Sequence, residues 1–355
     1  MKRACLAALV LTGASAPAWA QSSVTLYGIV DGGILYKTHV GPGGSAWALG
    51  TGLESTNRFG LTGAEDLGGG LQATFALESA FRISTGAFIN GGQPASAGTV
   101  LFDRGATVGL KSNTVGAVLL GKNLSPLLRM LTRIDVTGYV NFGSLNNLLY
   151  QNLSGYTGYQ YSWVDNSVEY QSPLIGGFEG VAMYSFGGVA GQFATKRVMS
   201  AGGSYQYGGL TAAGAYFSGN DPTGTTDAVV ARAYTGGVNY RWSQFKFALD
   251  FANFKNPSKG TSDNYYTGEI AYTPTANWQL SVTYIRQADR VTSERNASLY
   301  KVGVDYFLSK RTSLYALAGY VKNNSLASLG LQNSTPAGVV GRNQLGLGFG
   351  MRHSF

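Results

Sequence analysis

The feature that most constrains the fold is a strict two-residue alternation of side-chain polarity. In residues 244–252, every second side chain is large and apolar, and those between are small or polar. The apolar set is Phe245, Phe247, Leu249 and Phe251. The pattern recurs in 71–82, 300–307 and 343–355. A period of two is that of a β-strand whose faces meet different surroundings, so the chain is predicted to be all-β.

Composition favours a strand barrel in a membrane over a soluble sheet protein. Charged residues make up 12% of the chain, against about 25% in soluble domains. The chain also contains 51 glycines, 22 tyrosines and 17 phenylalanines. After the first twenty residues no apolar run is long enough for a membrane helix, and lipid tolerates only helices and closed barrels. We therefore expect a transmembrane antiparallel β-barrel, with an exported soluble all-β protein as the alternative.

The N-terminus has the pattern of a secretory signal peptide. Lys2 and Arg3 precede an apolar stretch, and Ala18-Trp19-Ala20 forms a small-x-small cleavage site. We expect residues 1–20 to be removed and 21–355 to form one barrel domain. The alternative, a membrane helix, needs a longer apolar core. The one cysteine is Cys5, so the mature chain holds no disulfide.

The charge pattern does not fit a nucleic-acid partner. The chain carries +8, and the two basic residues of the leader reduce this to +6. The basic residues are scattered at strand spacing, whereas a nucleic-acid surface needs them clustered.

Connections come in two sizes, as in an outer-membrane barrel. The short ones are 65–70, 173–177, 208–209 and 309–311. The long ones are 37–52, 83–100, 218–228, 256–263, 288–296 and 322–341. Their spacing predicts about 16 strands, with short turns at one end and long loops at the other.

The connection between Lys122 and Asn166 is much longer than the others. Ser125-Pro126 resembles a helix N-cap with proline at the first position, so we expect a helix through Arg133. Its apolar residues are Leu127, Leu128, Met130, Leu131 and Ile134. We also expect Lys122 to point inward, with Val118 and Leu120 on the same face. An apolar loop and an apolar inner wall predict that the loop folds into the lumen. The alternative is an external loop packed on its neighbours.

Several motifs resemble the general porins of beta-proteobacteria. They are Ser22-Ser23-Val24-Thr25-Leu26-Tyr27-Gly28, Asn57-Arg58-Phe59-Gly60-Leu61, the stretch 63–71, Leu77-Glu78-Ser79, the stretch 165–170 and the ending 350–355. Their order and spacing cover the whole chain. The resemblance implies a homotrimer of 16-stranded barrels in a Gram-negative outer membrane. Each barrel would pass small hydrophilic solutes and ions by passive diffusion and would contact outer-membrane lipid and lipopolysaccharide.

In that family the third loop folds inward and faces a cluster of arginines. By position, the resemblance places that cluster at Arg58, Arg82 and Arg104, with Lys122 nearby. Alternation supports the inward direction of Arg58 and Arg82. The alternative is that each arginine is paired with a carboxylate such as Glu78 and has no effect on transport.

The inserted segment departs from enteric porins because it lacks a Pro-Glu-Phe-Gly-Gly stretch. From Lys122 to Tyr161 its one acid is Asp135, against Lys122, Arg129 and Arg133. A positive constriction concentrates anions, so we predict anion preference. The predicted constriction residues are Arg58, Arg82, Arg104, Lys122, Arg129, Arg133, Asp135 and Glu78.

Two other functions are weighed against a general pore. A hydrolase needs a base beside its nucleophile, and the two histidines, His39 and His353, fall in a loop and on a lipid-facing position. A solute-specific channel would use clustered aromatics, which are Tyr156, Tyr159, Tyr161 and Trp163. We expect those to pack the loop. No catalytic residue, cofactor or metal is predicted.

Overall fold

The computed structural model describes residues 23–41, 44–89, 100–138, 140–145, 148, 162–332 and 338–355. The predicted leader lies outside these residues. The strands are β1 (Ser23–Lys37), β2 (Ala46–Thr51), β3 (Arg58–Gly68), β4 (Leu71–Ala80), β5 (Gly105–Ser112), β6 (Gly116–Leu124), β7 (Trp163–Gln171), β8 (Phe178–Ser185), β9 (Val198–Tyr207), β10 (Leu210–Asn220), β11 (Val229–Trp242), β12 (Phe245–Asn256), β13 (Thr261–Thr275), β14 (Trp278–Asp289), β15 (Ala297–Phe307), β16 (Thr312–Asn323) and β17 (Gln344–Ser354). Helix α1 covers Pro126–Ile134, and a 3₁₀ turn covers Ser293–Arg295.

The strands form one antiparallel sheet that closes on itself. Strands β3 to β17 each pair with their neighbours in sequence, and β1 pairs with β17 from Ile29 opposite Ser354 to Lys37 opposite Gly346. On its other side β1 pairs with β2 through one half and with β3 through the other. The 17 segments therefore occupy 16 positions around the barrel, because β2 and β3 share one. The predicted barrel of about 16 strands is confirmed.

The break between β2 and β3 is held away from the wall by a buried carboxylate. Gly52 has φ +63°, and a side chain there would lie 2.7 Å from the carbonyl oxygen of Ser55. The Asp31 carboxylate accepts hydrogen bonds from the backbone amides of Glu54 (2.9 Å) and Ser55 (2.6 Å). It also accepts one from the Tyr315 hydroxyl (2.6 Å). These bonds fix the segment 52–57 as an inward turn.

The two faces of the wall differ as the alternation predicts. On β15, Tyr300 and Val302 are 47% and 50% exposed, whereas Lys301 and Asp305 are 2% and 7% exposed. An outward apolar band and a polar inner face are the arrangement of an outer-membrane barrel. We call these the outer and inner faces. Within the described part of the chain, no helix is long and apolar enough to cross a membrane.

Helix α1 begins where the sequence predicts. The Ser125 hydroxyl accepts a hydrogen bond from the Leu128 amide (3.2 Å), and Pro126 occupies the first turn. Ser125 therefore satisfies one of the amides that a helix start leaves unpaired. The helix ends at Ile134, one residue beyond the predicted end.

One prediction for β6 is wrong. Val118 and Leu120 are 44% and 48% exposed, on the outer face. Leu119 pairs with Glu169, whose carboxylate contacts α1, so the inner face carries the odd-numbered residues. Lys122 itself is buried and forms an ion pair with Asp165. The register shift beside it, between Gly121 and Asn123, breaks the simple alternation.

The connection after β10 is organised by one carboxylate. Asp221 accepts hydrogen bonds from Thr223, Thr225 and Thr226. The hydroxyl and amide of Thr223 are the main cause that lowers the pKa of Asp221 below its usual range, and the Thr225 and Thr226 bonds act in the same direction.

We expect this connection to loosen at acid pH. A lowered carboxyl pKa stabilises the folded connection at neutral pH, and that stability is lost as pH falls through the folded-state value. Asp221→Asn removes the acceptor of the Thr225 and Thr226 bonds. Limited proteolysis at neutral pH should therefore cut 221–228 faster in the variant. Equal cutting rates for variant and parent would contradict this role.

Candidate functional site

The segment after β6 is packed against the inner face of the wall through α1. Leu127, Met130, Leu131 and Ile134 are all buried. The helix contacts β8 to β12, and β10 most extensively. Met130 and Ile134 share an apolar cluster with inner-face residues of the wall, which include Val181, Ala213, Ala248 and Ala271. Small wall residues here leave room for the helix.

Polar groups of the inner face fix the end of α1. The Asn239 side-chain amide donates to the carbonyl oxygens of Arg133 (2.6 Å) and Ile134 (3.1 Å). The Glu269 carboxylate accepts from the amide of Val136 (3.1 Å). The Asn239 bonds satisfy carbonyl groups that a helix end leaves unpaired. Together the three bonds hold the chain against β11 and β13.

The same segment continues around the barrel interior to the β2–β3 break. The amides of Asn141 and Phe142 donate to the carbonyls of Glu54 (3.0 Å) and Leu53 (2.8 Å). Gly143 donates to the Leu331 carbonyl (2.7 Å). A side chain at position 143 would lie 3.3 Å from the Lys301 side chain on β15. The contacts thus run from β8 to the inward turn at 52–57.

A compact charged cluster is centred on Glu78 of β4. It lies on the part of the wall that the described residues of the inserted segment do not contact, between β3 and the start of β5. The Arg104 Nε donates to the Glu78 carboxylate at 2.6 Å, and the Arg58 Nε lies 3.5 Å from its other oxygen. The Tyr27 hydroxyl donates to the same carboxylate at 2.9 Å. The Arg104 guanidinium also lies 4.8 Å from the centre of the Trp163 ring, a cation–π distance.

The cluster keeps excess positive charge. Two guanidinium groups share one carboxylate, and Arg58 and Arg104 remain 25% and 19% exposed. Arg82 lies in the turn that follows the end of β4 at Ala80, and its side chain is exposed. Among the described residues it has no ion-pair partner. Sequence reasoning missed Tyr27 and assigned Trp163 to loop packing.

The basic residues of the segment are paired with wall carboxylates. Arg129 lies 2.7 Å from Glu169, and Arg133 is hydrogen-bonded to Glu179. Asp135 accepts from the Thr137 amide (2.8 Å). Glu169 and Glu179 are inner-face residues that the sequence reasoning missed, although the alternation of β7 and β8 could have placed them there. A charge count of the segment alone therefore overstates its positive field.

The remaining candidates are separate from this site. The His39 ring contacts the Asn343 carbonyl (2.7 Å), and the His353 ring contacts the Thr312 hydroxyl (2.9 Å). His353 is exposed on the outer face, as expected. Tyr156, Tyr159 and Tyr161 lie outside the described residues. In the described ranges no group of three metal-binding side chains is found.

Comparisons with known proteins agree with this architecture. A sequence model of the Gram-negative porin family matches residues 6–326. The chain is 31% identical to outer membrane porin protein 32 of Delftia acidovorans, over 99% of both chains. It is 30% identical to an outer membrane porin protein of Bordetella pertussis, over 100% of both. Among solved structures, the anion-selective porin from Comamonas acidovorans superposes with a TM-score of 0.80 at 28% identity, covering 94% of this chain and 100% of that one.

These relatives are named as porins. The closed barrel, its polar inner face and its outward apolar band are the features that such a channel needs. A wall of this kind encloses a water-filled path through lipid. The chain therefore belongs to the Gram-negative porin family and forms an outer-membrane channel for the passive diffusion of small hydrophilic solutes and ions.

Proposed function

We propose that the channel is narrowed between the inserted segment and the Arg58–Glu78–Arg104 cluster, and that it prefers anions. The observation that carries this is the course of the segment. Its contacts line the inner face from β8 to the turn at 52–57, which leaves the cluster on β3 to β5 facing the remaining opening. Solutes then pass between the segment and the arginines.

The anion preference is assigned to the wall rather than to the segment. Arg129 and Arg133 are offset by Glu169 and Glu179, whereas Arg58 and Arg104 share one carboxylate and Arg82 adds a further charge. In a narrow cleft with low-dielectric walls, excess charge raises the local concentration of counter-ions. The similar Comamonas acidovorans porin is named as anion-selective, which supports the same preference here. Lys122 adds little net charge to the constriction because it forms an ion pair with Asp165.

A planar-bilayer recording tests this proposal. The refolded protein is placed between potassium chloride solutions of unequal concentration, and the zero-current potential is read. An anion-selective sign supports the proposal. A cation-selective sign would refute the assigned preference while leaving the channel itself, and conductance that saturates with one solute would favour a solute-specific channel.

We also propose that residues 1–20 are cleaved, that the mature barrel is a homotrimer, and that it catalyses no reaction. One sector of the outer face supports association. Its exposed apolar side chains include Ile34, Trp47, Leu49, Val108, Leu110 and Phe349. Native mass spectrometry should give three times the mass of 21–355. A monomer mass would contradict the trimer, and a retained leader would contradict the cleavage.

A further inference from the structure

Trp163 lies where the two ends of the inserted segment leave the wall, beside the arginine cluster. It pairs with Leu124 across β7 and β6, and the Ser125 amide donates to the Ser162 carbonyl (2.8 Å). We call these two pairings the neck of the segment. The Trp163 ring also lies over the Arg104 guanidinium, whose central carbon is 4.8 Å from the ring centre. One side chain therefore joins the neck to the cluster.

A bulge in β7 sets the direction of this ring. Opposite the stretch from Gly121 to Asn123 on β6, β7 has one residue more than its partner strand. The extra stretch holds Asn166 in the left-handed conformation, with φ +52°, and its side-chain amide donates to the Phe186 carbonyl (2.7 Å). A bulge redirects the side chains that follow it. Strand alternation alone therefore does not give the face of Trp163.

The two partners of this contact are fixed separately. The Arg104 amide donates to the Glu78 carbonyl (3.1 Å), which ties the backbone before β5 to β4. The ring is fixed by the neck and by the bulge. Gly105 leaves space for the ring, because a Cβ there would already lie 3.8 Å from the ring edge and a longer side chain would enter it. The fold of β4 to β7 therefore sets the ring over the guanidinium.

The Arg104 guanidinium is bound to its carboxylate at one end only. Its Nε donates to one oxygen of Glu78 (2.6 Å), whereas its two terminal amino groups have no hydrogen-bond partner among the described residues. The other oxygen accepts from the Tyr27 hydroxyl and lies 3.5 Å from the Arg58 Nε. An arginine and a carboxylate commonly form two parallel hydrogen bonds. Stacking on the ring holds the guanidinium in the single-bond arrangement, because its plane is attracted to the aromatic face.

We propose that Trp163 is a positioning residue for ion selectivity, which keeps the terminal amino groups of Arg104 directed into the open path. The inference rests on the proposed narrowing beside the Arg58–Glu78–Arg104 cluster. Without an aromatic ring at position 163, the guanidinium turns onto Glu78 and forms the two-bond pair. Its charge then lies closer to the carboxylate, so the positive field of the cluster in the opening is weaker. The neck thus takes part in selecting ions as well as in holding the inserted segment.

A mutant cycle tests this role through the zero-current potential of the refolded protein between unequal potassium chloride solutions. The variants are Trp163→Leu, Arg104→Gln and the two together. Arg104→Gln removes one charge and should lower the chloride-to-potassium permeability ratio about threefold at low salt. Trp163→Leu should lower it about twofold, and it should have no further effect when Arg104 is already glutamine. Trp163→Phe keeps an aromatic face and should keep the parent ratio.

The matched control is Trp242→Leu, which removes an exposed tryptophan from the outer face of β11 and should leave the ratio unchanged. Heat-dependent mobility on a gel checks that each barrel has folded.

Three results would overturn the role of Trp163. Trp163→Leu could have the same effect with and without Arg104, Trp163→Phe could lose as much selectivity as Trp163→Leu, or Trp163→Leu could change the conductance and leave the ratio at the parent value. The last result would assign Trp163 to packing of the segment alone. A cation-selective parent would instead refute the proposed anion preference, and the cycle would still show whether Trp163 acts through Arg104.

Discussion

Replacing both Arg58 and Arg104 by glutamine is expected to abolish the anion preference of the channel and to move the zero-current potential toward cation selectivity. The double variant leaves Glu78 as the charged member of the cluster, so its net charge changes from positive to negative. A unit charge about 5 Å from a passing ion contributes roughly 0.8 kcal/mol even at the dielectric of water. Removing two charges should therefore lower the chloride-to-potassium permeability ratio about tenfold at low salt, and less at high salt.

Two controls separate this effect from a purely structural role. Glu78→Gln should shift the potential in the opposite direction, because it leaves both guanidinium groups uncompensated. Arg311→Gln removes one charge from a distant exposed turn and should leave the potential unchanged. If the double variant folds and its potential equals that of the parent, the two arginines serve only as ion-pair partners of Glu78. Heat-dependent mobility on a gel checks that each barrel has folded.

Leu131→Asp is expected to unseat α1 and raise the conductance about twofold, since a helix about 10 Å wide would leave the lumen of a barrel this size. Leu131 is 1% exposed in the cluster that also includes Leu127 and Phe142. A buried unpaired carboxylate costs several kcal/mol. The wall should survive, because its strands are held by their own backbone hydrogen bonds. Single-channel conductance and the size limit for neutral sugars measure the change.

The adjacent residue provides a matched control. Thr132 is exposed on α1, so Thr132→Asp adds the same charge without entering the apolar cluster. We expect it to keep the parent conductance. Equal conductance for Leu131→Asp, Thr132→Asp and the parent would show that α1 does not restrict the open path. A higher conductance in both variants would show that the added negative charge, and not the loss of α1 packing, causes the change.

The alternation in the sequence predicts the barrel and most strand faces because it is a local property of each strand. The same is true of the helix start, where Ser125 and Pro126 are adjacent. The face of Val118 and Leu120 was predicted wrongly because it was inferred from the expected inward direction of Lys122. The register shift between Gly121 and Asn123 means that Lys122 does not report the face of the residues before it.

The ion pairs of the inserted segment could not be predicted for a different reason. Arg129 and Glu169 are 40 residues apart, and Arg133 and Glu179 are 46 apart. Alternation gives the face of each carboxylate but does not say which strand α1 will meet. The position of α1 depends on small wall residues such as Ala213 and Ala248, which leave space for the helix. These residues come together only when the barrel is closed. The constriction roles of Arg58, Arg82, Arg104, Lys122, Arg129, Arg133, Asp135 and Glu78 stay predictions.

The Asp31 carboxylate links the seam of the barrel to its narrowing. It joins β1 to Tyr315 on β16, 284 residues away, and it also holds the turn at 52–57 against which Asn141 and Phe142 are bonded. Contacts between residues so far apart in sequence form slowly, because a long loop must close first. An unclosed sheet would lack the Tyr315 bond and one of the surfaces that position the inserted segment. We therefore expect the barrel wall to close before the inserted segment takes its final position and sets the width of the channel.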